Sequence, residues 1–222
     1  MSELSSMLIR ILLTSYLIIF LPAHAESLTK SQDAPNTILV MGDSLSAAYG
    51  IDIDDGWVNL LRKQLENYDT RNHWQVINAS ISGDTTTGGL ERLPKLLETY
   101  DPVLCIIALG ANDGLRGQSL KLMHENLQDM ITLCTTEGQS LLVGIKLPPN
   151  YGDKYTQAFH EVYRKLANDN PIKFIPFMLE GIALQDSYFQ ADRLHPTKEA
   201  QPVILNTIWT SLEPILSELN QE

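Results

Sequence analysis

A serine that could act as a nucleophile follows the first apolar run after the N-terminal segment. Four apolar residues, 38–41, lead into Gly42, Asp43 and Ser44. Ligands of an open α/β sheet bind at the carboxyl ends of its strands, and a serine hydroxyl there becomes a good nucleophile only when a base takes its proton. Since the same residues could form an ordinary strand-to-helix turn, the interpretation depends on partners elsewhere in the chain.

A histidine and an acid near the C-terminus are the candidate partners. Asp192 precedes His195 by three residues, so its carboxylate can reach the imidazole within one turn and hold its tautomer. Pro196 disfavours helical geometry at His195 and so helps to aim the ring. These residues predict acyl transfer, with Ser44 as nucleophile and His195 as base. The other histidines lie in no comparable polar turn: His24, His73, His124 and His160.

Two further polar segments follow predicted strands and could stabilise an oxyanion. Residues 78–85 contain Gly83, and residues 109–114 contain Asn112. In a parallel sheet, these segments and the Ser44 loop converge at one edge. The predicted donors are the backbone N–H groups of Ser44 and Gly83 and the side-chain amide of Asn112. The missing side chain of Gly83 permits close approach.

Apolar patterning predicts an α/β fold around these loops. Apolar runs predict five strands, at 37–41, 74–79, 103–109, 141–145 and 172–177, and helical periodicity lies between them. Such alternation favours one parallel sheet with helices on both faces. The last helix, 198–219, is interrupted by Pro202 and Pro214, where we expect a lost hydrogen bond or a kink. Helical stripes place three sets of residues in the core: Trp57, Leu60, Leu61 and Leu65; Leu120, Met123, Leu127, Met130, Ile131 and Cys134; Tyr155, Phe159, Val162 and Leu166.

The N-terminal segment has the pattern of a secretory signal. Arg10 precedes an apolar run, 11–21, and small residues surround His24, so residues 1–25 predict a cleaved signal peptide. An uncleaved anchor is the alternative, although the run is short for a membrane span. We expect a polar linker at 26–36, a catalytic domain at 37–222, and no stable membrane anchor after cleavage.

Charge and cysteine content exclude several classes of function. The formal net charge is −11, and without a basic stripe the chain is a poor nucleic-acid partner. No His or Cys pair has zinc-like spacing, so we expect neither a metal nor a cofactor. Cys105 and Cys134 fall at neighbouring ends of a βαβ unit, where they could form a disulfide in an oxidising compartment or remain separate buried thiols.

These residues together resemble the SGNH (GDSL) hydrolase family, whose initials stand for residues found here as Ser44, Gly83, Asn112 and His195. The resemblance extends from about residue 37 to residue 216. It is greatest to the bacterial periplasmic thioesterase I, lysophospholipase L1 and arylesterase group. The segments that carry this closer similarity are 42–47, 78–85, 110–117 and 147–152.

The resemblance implies a three-layer α/β/α, flavodoxin-like domain with a triad of Ser44, Asp192 and His195. It also implies metal-independent hydrolysis of small acyl esters and thioesters, such as aryl esters, acyl-CoA and lysophospholipids, by a monomer. The chain departs from the family at Arg193, where a glycine is usual. Two alternatives stay open: an acetyl-esterase acting on a cell-surface polysaccharide, and a catalytically silent lipid- or carbohydrate-binding module.

A short segment after Asn112 could cover the acyl chain. It has a glycine at each end, which predicts a lid that swings while Asn112 stays fixed. In the resembled family the equivalent segment shifts when substrate binds, and an apolar wall faces it. The alternative is a rigid turn in which Arg116 caps nearby carbonyls. The predicted lid consists of Gly114, Leu115, Arg116 and Gly117, and the wall includes Leu147, Pro148 and Tyr151.

Overall fold

A parallel sheet forms the centre of the fold. The structure is a computed structural model that describes residues 35–68, 73–136 and 138–221. Every neighbouring pair of strands is parallel, in the order β2-β1-β3-β4-β5. The carboxyl ends of β1 and β3 therefore border the switch point at which ligands bind in open α/β sheets. The strands are β1 (Asn36–Gly42), β2 (Trp74–Asn78), β3 (Leu104–Ala108), β4 (Gln139–Val143) and β5 (Lys173–Ile175).

Helices cover both faces of this sheet. α1 packs against α6, whereas α4 packs against both α2 and α5. Every residue of β3 is buried, as expected for a strand covered on both faces. The predicted three-layer α/β/α architecture with a five-stranded parallel sheet is confirmed. The helices are α1 (Trp57–Tyr68), α2 (Thr86–Tyr100), α3 (Ala111–Leu115), α4 (Leu120–Thr135), α5 (Asp153–Asp169) and α6 (Gln201–Leu219).

Some predicted boundaries were wrong by one or two residues. β1 begins at Asn36, whose N–H donates to the His73 carbonyl over 2.8 Å, so the linker predicted for 26–36 extends one residue too far. β5 ends before Pro176, which has no N–H to continue the ladder. At the end of β4, a Cβ on Gly144 would lie 2.7 Å from the Pro176 carbonyl oxygen, so the absence of a side chain allows the two segments to approach.

The prolines at which we expected a lost hydrogen bond or a kink do not end the last helix. α6 is continuous over Gln201–Leu219, after a 3₁₀ turn at Lys198–Ala200. Pro202 lies in the first turn, where its missing N–H has no intrahelical acceptor to lose. Pro214 lies inside the helix and removes one hydrogen bond, but buried leucines and isoleucines on both sides of it pack against the core.

The two cysteines are neighbours in the core. Cys105 in β3 and Cys134 in α4 are both buried and both free thiols. A hydrogen bond between Cys105 and Cys134, together with burial, raises the pKa of the Cys105 thiol well above its usual range. The predicted signal segment at 1–25 lies outside the described residues. Among the helices that are described, none combines the length and apolar character needed to cross a membrane.

Candidate active site

The three residues predicted as a triad form one continuous hydrogen-bonded chain. His195 Nε2 lies 2.9 Å from Ser44 Oγ, and His195 Nδ1 lies 2.6 Å from Asp192 Oδ2. Asp192 Oδ1 also accepts the backbone N–H groups of His195 and Leu194. The bonds from His195 are the main cause that lowers the pKa of Asp192 to about 2. An ionised Asp192 holds the Nδ1 proton, and Nε2 is then free to accept the serine proton.

Ser44, the candidate nucleophile, lies in a tight turn directly after β1. The Asp43 carbonyl accepts the backbone N–H groups of Ser46 and Ala47 over 3.2 and 2.9 Å. A Cβ on Gly42 would lie 2.6 Å from Ser46 Oγ and 2.8 Å from Ser80 Oγ. Glycine at position 42 therefore lets the loops after β1 and β2 close on one another, and this contact fixes Ser44 at the sheet edge.

The three predicted oxyanion donors come from three different loops. Gly83 has φ +80°, a left-handed conformation that suits glycine. Within the described residues, no hydrogen bond uses the backbone N–H of Ser44 or of Gly83. The Asn112 side-chain nitrogen donates to the Asp84 carbonyl over 2.9 Å. The same nitrogen also contacts Asp43 Oδ2 over a longer distance, 3.4 Å. The N–H that makes this longer contact is the one more easily redirected to an oxyanion.

A buried carboxylate and a partly buried ion pair hold the Gly83 and Asn112 segments together. The carboxylate of Asp113, which follows Asn112, accepts both the N–H and the hydroxyl of Thr86 at the start of α2. Arg92 pairs with Asp84 and also donates to the Ala79 carbonyl. Asp113 was visible in the sequence as a charged residue directly after Asn112. Nothing in the sequence patterning linked Arg92 to the site.

A second carboxylate beside Ser44 was not predicted as a site residue. Asp43 is 1% exposed and accepts the Leu45 N–H over 3.0 Å. Burial raises the pKa of Asp43 to about 6, although the Leu45 N–H and the nearby His195 oppose the shift. Asp43 therefore holds the turn that contains Ser44 and makes only a long contact with the Asn112 amide. A charged residue at the end of a buried strand was the available signal.

The predicted lid is more tightly bound than its glycines suggested. Gly114 is buried within α3, and a Cβ there would lie 2.5 Å from the Phe159 ring. This glycine therefore allows close packing against Phe159, and the hinge at Gly114 stays a prediction. Gly117 has φ +64° and open space around it. Arg116 donates to the Gly83 carbonyl over 2.8 Å, the kind of contact described by the rigid-turn alternative.

The predicted wall faces this segment. Leu147 is 7% exposed, and Pro148 precedes a 3₁₀ turn at Pro149–Tyr151. The Tyr151 hydroxyl donates to the Leu115 carbonyl over 3.0 Å. The Tyr155 hydroxyl, which the sequence analysis assigned to the core, donates to the Gly114 carbonyl over 3.1 Å. The wall is thus joined to α3 by two tyrosines.

A family comparison agrees with this arrangement. The sequence model of the GDSL-like lipase/acylhydrolase family matches residues 40–201, which include Ser44, Gly83, Asn112 and His195. The chain belongs to the GDSL-like lipase/acylhydrolase family. It is accordingly a serine hydrolase. No group of three or more His, Cys, Asp or Glu side chains suited to a metal occurs within the described ranges.

Several characterised members of the GDSL-like family are similar over most of their length. "Esterase TesA" of Pseudomonas aeruginosa is 48% identical over 85% of this chain and 94% of its own. The "Arylesterase" of Vibrio mimicus is 44% identical over 80% and 88% of the two chains. "Thioesterase 1/protease 1/lysophospholipase L1" of Escherichia coli K12 is 38% identical over 86% and 89%. The crystal structure of TesA has a TM-score of 0.78 at 46% identity, covering 81% of this chain and 99% of that one.

Proposed function

We propose that this GDSL-like hydrolase cleaves acyl esters and thioesters through an acyl-enzyme on Ser44. The observation that carries the proposal is the unbroken chain of hydrogen bonds from Ser44 through His195 to Asp192. In the first half-reaction, His195 Nε2 takes the Ser44 proton while Oγ bonds to the acyl carbon. The leaving group then departs with that proton. Water, deprotonated by the same nitrogen, attacks the acyl-enzyme and releases the acid and Ser44.

The oxyanion of both tetrahedral intermediates would lie between the loops after β1, β2 and β3. We assign the backbone N–H groups of Ser44 and Gly83 and the Asn112 side chain as its donors. Donors fixed before the reaction need no reorganisation as charge develops, which makes them effective. The hydrogen bond from Asn112 to the Asp84 carbonyl supports this role, because it fixes the amide between two of the three loops.

The acyl chain would lie along α3 and the apolar wall at Leu147, Pro148 and Tyr151. Because the names of similar proteins include esterase, arylesterase, thioesterase and lysophospholipase, the substrate class we propose is small acyl esters and thioesters. Burial contributes up to about 0.8 kcal/mol for each methylene. We therefore expect kcat/KM to rise with acyl length until the wall is covered.

We further propose that residues 1–25 direct the protein out of the cytoplasm, so that it acts in the periplasm or as a secreted enzyme. The apolar run and the small residues around His24 support this assignment. Expression of the full chain followed by N-terminal sequencing of the exported form tests it. A mature N-terminus near residue 26 is expected, and retention of residue 1 on an exported protein would contradict cleavage.

A substrate panel tests the hydrolase proposal. p-Nitrophenyl esters from acetate to decanoate, an acyl-CoA and a lysophospholipid are compared with wild type and Ser44→Ala. Wild type is expected to hydrolyse medium-chain esters faster than acetate, and Ser44→Ala is expected to lose roughly six orders of magnitude in turnover. Activity on acetate alone would favour an acetyl-esterase. Silence on every substrate would favour a binding module.

A further inference from the structure

An exposed aromatic ring lies against the imidazole of the candidate base. The rings of Tyr49 and His195 have centroids 4.4 Å apart and planes inclined by 40°. Tyr49 is nevertheless 51% exposed, so half of its surface remains available beside the imidazole. The turn that presents it contains Ala48 at φ +58° and Gly50 at φ +74°. A left-handed alanine is uncommon, so this turn is held by its surroundings.

Hydrogen bonds connect Tyr49 to both ends of the candidate catalytic pair. Its N–H donates to the Ser44 carbonyl over 3.2 Å, and its carbonyl accepts Gln190 Nε2 over 2.8 Å. The Gln190 N–H in turn donates to the His195 carbonyl over 2.8 Å. A Cβ on Gly50 would lie 2.3 Å from Gln190 Oε1, so glycine lets the turn close on this glutamine. Tyr49 is thus fixed relative to both Ser44 and His195.

Proton transfer decides which part of a substrate approaches this ring. To expel the leaving group, His195 Nε2 must deliver a proton to its departing atom at a distance of about 3 Å. The carbonyl oxygen instead faces the donors on Gly83 and Asn112. A leaving group held within reach of Nε2 therefore lies close to whatever borders the imidazole, and Tyr49 is such a neighbour.

We infer that Tyr49 forms a leaving-group subsite that selects esters with a flat aromatic leaving group. This inference rests on the proposed function, since it takes Ser44 and His195 as nucleophile and base. Aromatic rings prefer stacked or edge-to-face contacts, and such a contact changes affinity by about twofold to tenfold beyond simple burial. The acyl chain lies elsewhere, along α3, so the preference concerns the alcohol part of the ester.

The test compares two esters of one acid. Phenyl butyrate and hexafluoroisopropyl butyrate have leaving groups of comparable basicity, but only one is aromatic. Tyr49→Leu is expected to lower kcat/KM for the phenyl ester by about threefold to tenfold, with little change for the fluoroalkyl ester. Tyr49→Phe keeps the ring and should therefore keep the wild-type ratio of kcat/KM for the phenyl ester to kcat/KM for the fluoroalkyl ester. Tyr100→Leu, an exposed tyrosine at the far end of α2, is the matched control and should also keep it.

The rate at which the butyryl-enzyme is hydrolysed separates two roles of Tyr49: selection of the leaving group and positioning of His195. Both esters give the same butyryl-enzyme, so its rate of decay contains no contribution from the leaving group. We expect that rate to be the same in wild type and Tyr49→Leu. Equal losses on both esters, or slower decay of the intermediate, would show that Tyr49 only positions His195 and would overturn the subsite. An unchanged ratio in Tyr49→Leu would also overturn it. If no butyryl-enzyme forms in wild type, the proposed function itself fails.

Discussion

At position 193 an arginine occupies a backbone conformation that favours glycine. Arg193 has φ +59° and lies in the turn between Asp192 and His195, and its N–H donates to the Gln190 carbonyl. The left-handed conformation costs a side chain with a Cβ roughly 1–2 kcal/mol. The departure from the family glycine therefore adds strain to the turn that holds His195, while the bonds to Asp192 maintain its geometry.

Two substitutions at this position separate backbone strain from loss of the charge. Arg193→Gly and Arg193→Ala both remove the guanidinium, but only glycine removes the strain. The greater freedom of glycine in the unfolded chain offsets part of the gain, so we expect the Gly variant to be more stable than the Ala variant by about 0.5–1 kcal/mol. Urea unfolding measures the difference. An Arg193→Gly variant less stable than Arg193→Ala would contradict backbone strain at position 193.

Asn112 provides the clearest test of the oxyanion site. Removing one oxyanion donor lowers kcat by about 10²- to 10³-fold, because the lost interaction is strongest in the transition state. We expect Asn112→Ala to show this loss with a much smaller change in KM on a p-nitrophenyl ester. A rise in KM at unchanged kcat would show that Asn112 binds the ground state instead. Circular dichroism checks that the variant is folded.

The candidate triad was predictable because its residue types and turns are themselves informative. Ser44 follows a buried strand, and Asp192 and His195 share one turn. The sequence could not predict the ring contact between Tyr49 and His195, because it depends on the Gln190 bridge formed in the folded chain. Nor could it assign Asp43 its burial, which results from packing of the loops around β1.

At the level of elements, α3 positions Asn112 and depends on a glycine for its packing. A Cβ at position 114 would meet Phe159 in α5 and Leu147 in the wall. We expect Gly114→Ala to lower the free energy of unfolding by about 1–3 kcal/mol through overpacking and to lower kcat by displacing Asn112. Gly117→Ala, in open space at positive φ, is the control and should cost about 1 kcal/mol. Equal kcat losses in both would support a hinge instead.

Strands were predictable where consecutive residues are buried. The ends of helices and strands were less predictable, because they depend on contacts made only in the folded chain. β1 and β3 appear in the sequence as unbroken apolar runs because helices cover both their faces. The different effects of the two prolines in α6 could not be predicted, since Pro202 in the first turn and Pro214 inside the helix look alike in sequence. α2 was not among the predicted helical stripes, although Leu90, Leu93 and Leu97 lie on one face of it and pack against or within the core.

At the scale of the molecule, sheet topology brings distant segments to one crevice. β1 pairs with β2 on one side and β3 on the other, so the loops that carry Ser44, Gly83 and Asn112 leave adjacent strands at the same edge. This convergence follows from parallel pairing and was predictable. The position of the His195 turn against that edge was not predictable, because it depends on Gln190 and on an isolated bridge between Phe189 and Pro196.

Burial of Asp43 makes the stability of the whole protein depend on pH. Its pKa is raised from 3.8 to about 6, so the folded state holds this proton more tightly than the unfolded state. Stability is therefore lost as pH rises from about 4 to about 6, and the loss is complete above that window. A pKa shift of this size corresponds to a change of about 3 kcal/mol in the free energy of unfolding.

Asp43→Asn removes this titration and provides the measurement. At each pH, the free energy of unfolding of Asp43→Asn is compared with that of wild type. As the pH rises from 4 to 7, this difference should shift by up to about 3 kcal/mol in favour of the variant. Thermal or urea unfolding at both pH values gives the difference. Asp129→Asn changes an exposed carboxylate on α4 and serves as the charge control. A pH-independent difference between Asp43→Asn and wild type would contradict the raised pKa of Asp43.

Direct detection of the acyl-enzyme tests the central claim. Wild type is mixed with p-nitrophenyl octanoate, quenched in acid within the first turnover, and analysed by intact-mass and peptide mass spectrometry. We predict one octanoyl group per chain, attached to the peptide that contains Ser44, and no such adduct in Ser44→Ala. Accumulation of the adduct requires that deacylation limit turnover, so a fluorophosphonate ester, which gives a stable adduct, is used in parallel. Labelling of another residue, or full turnover by Ser44→Ala, would contradict the account.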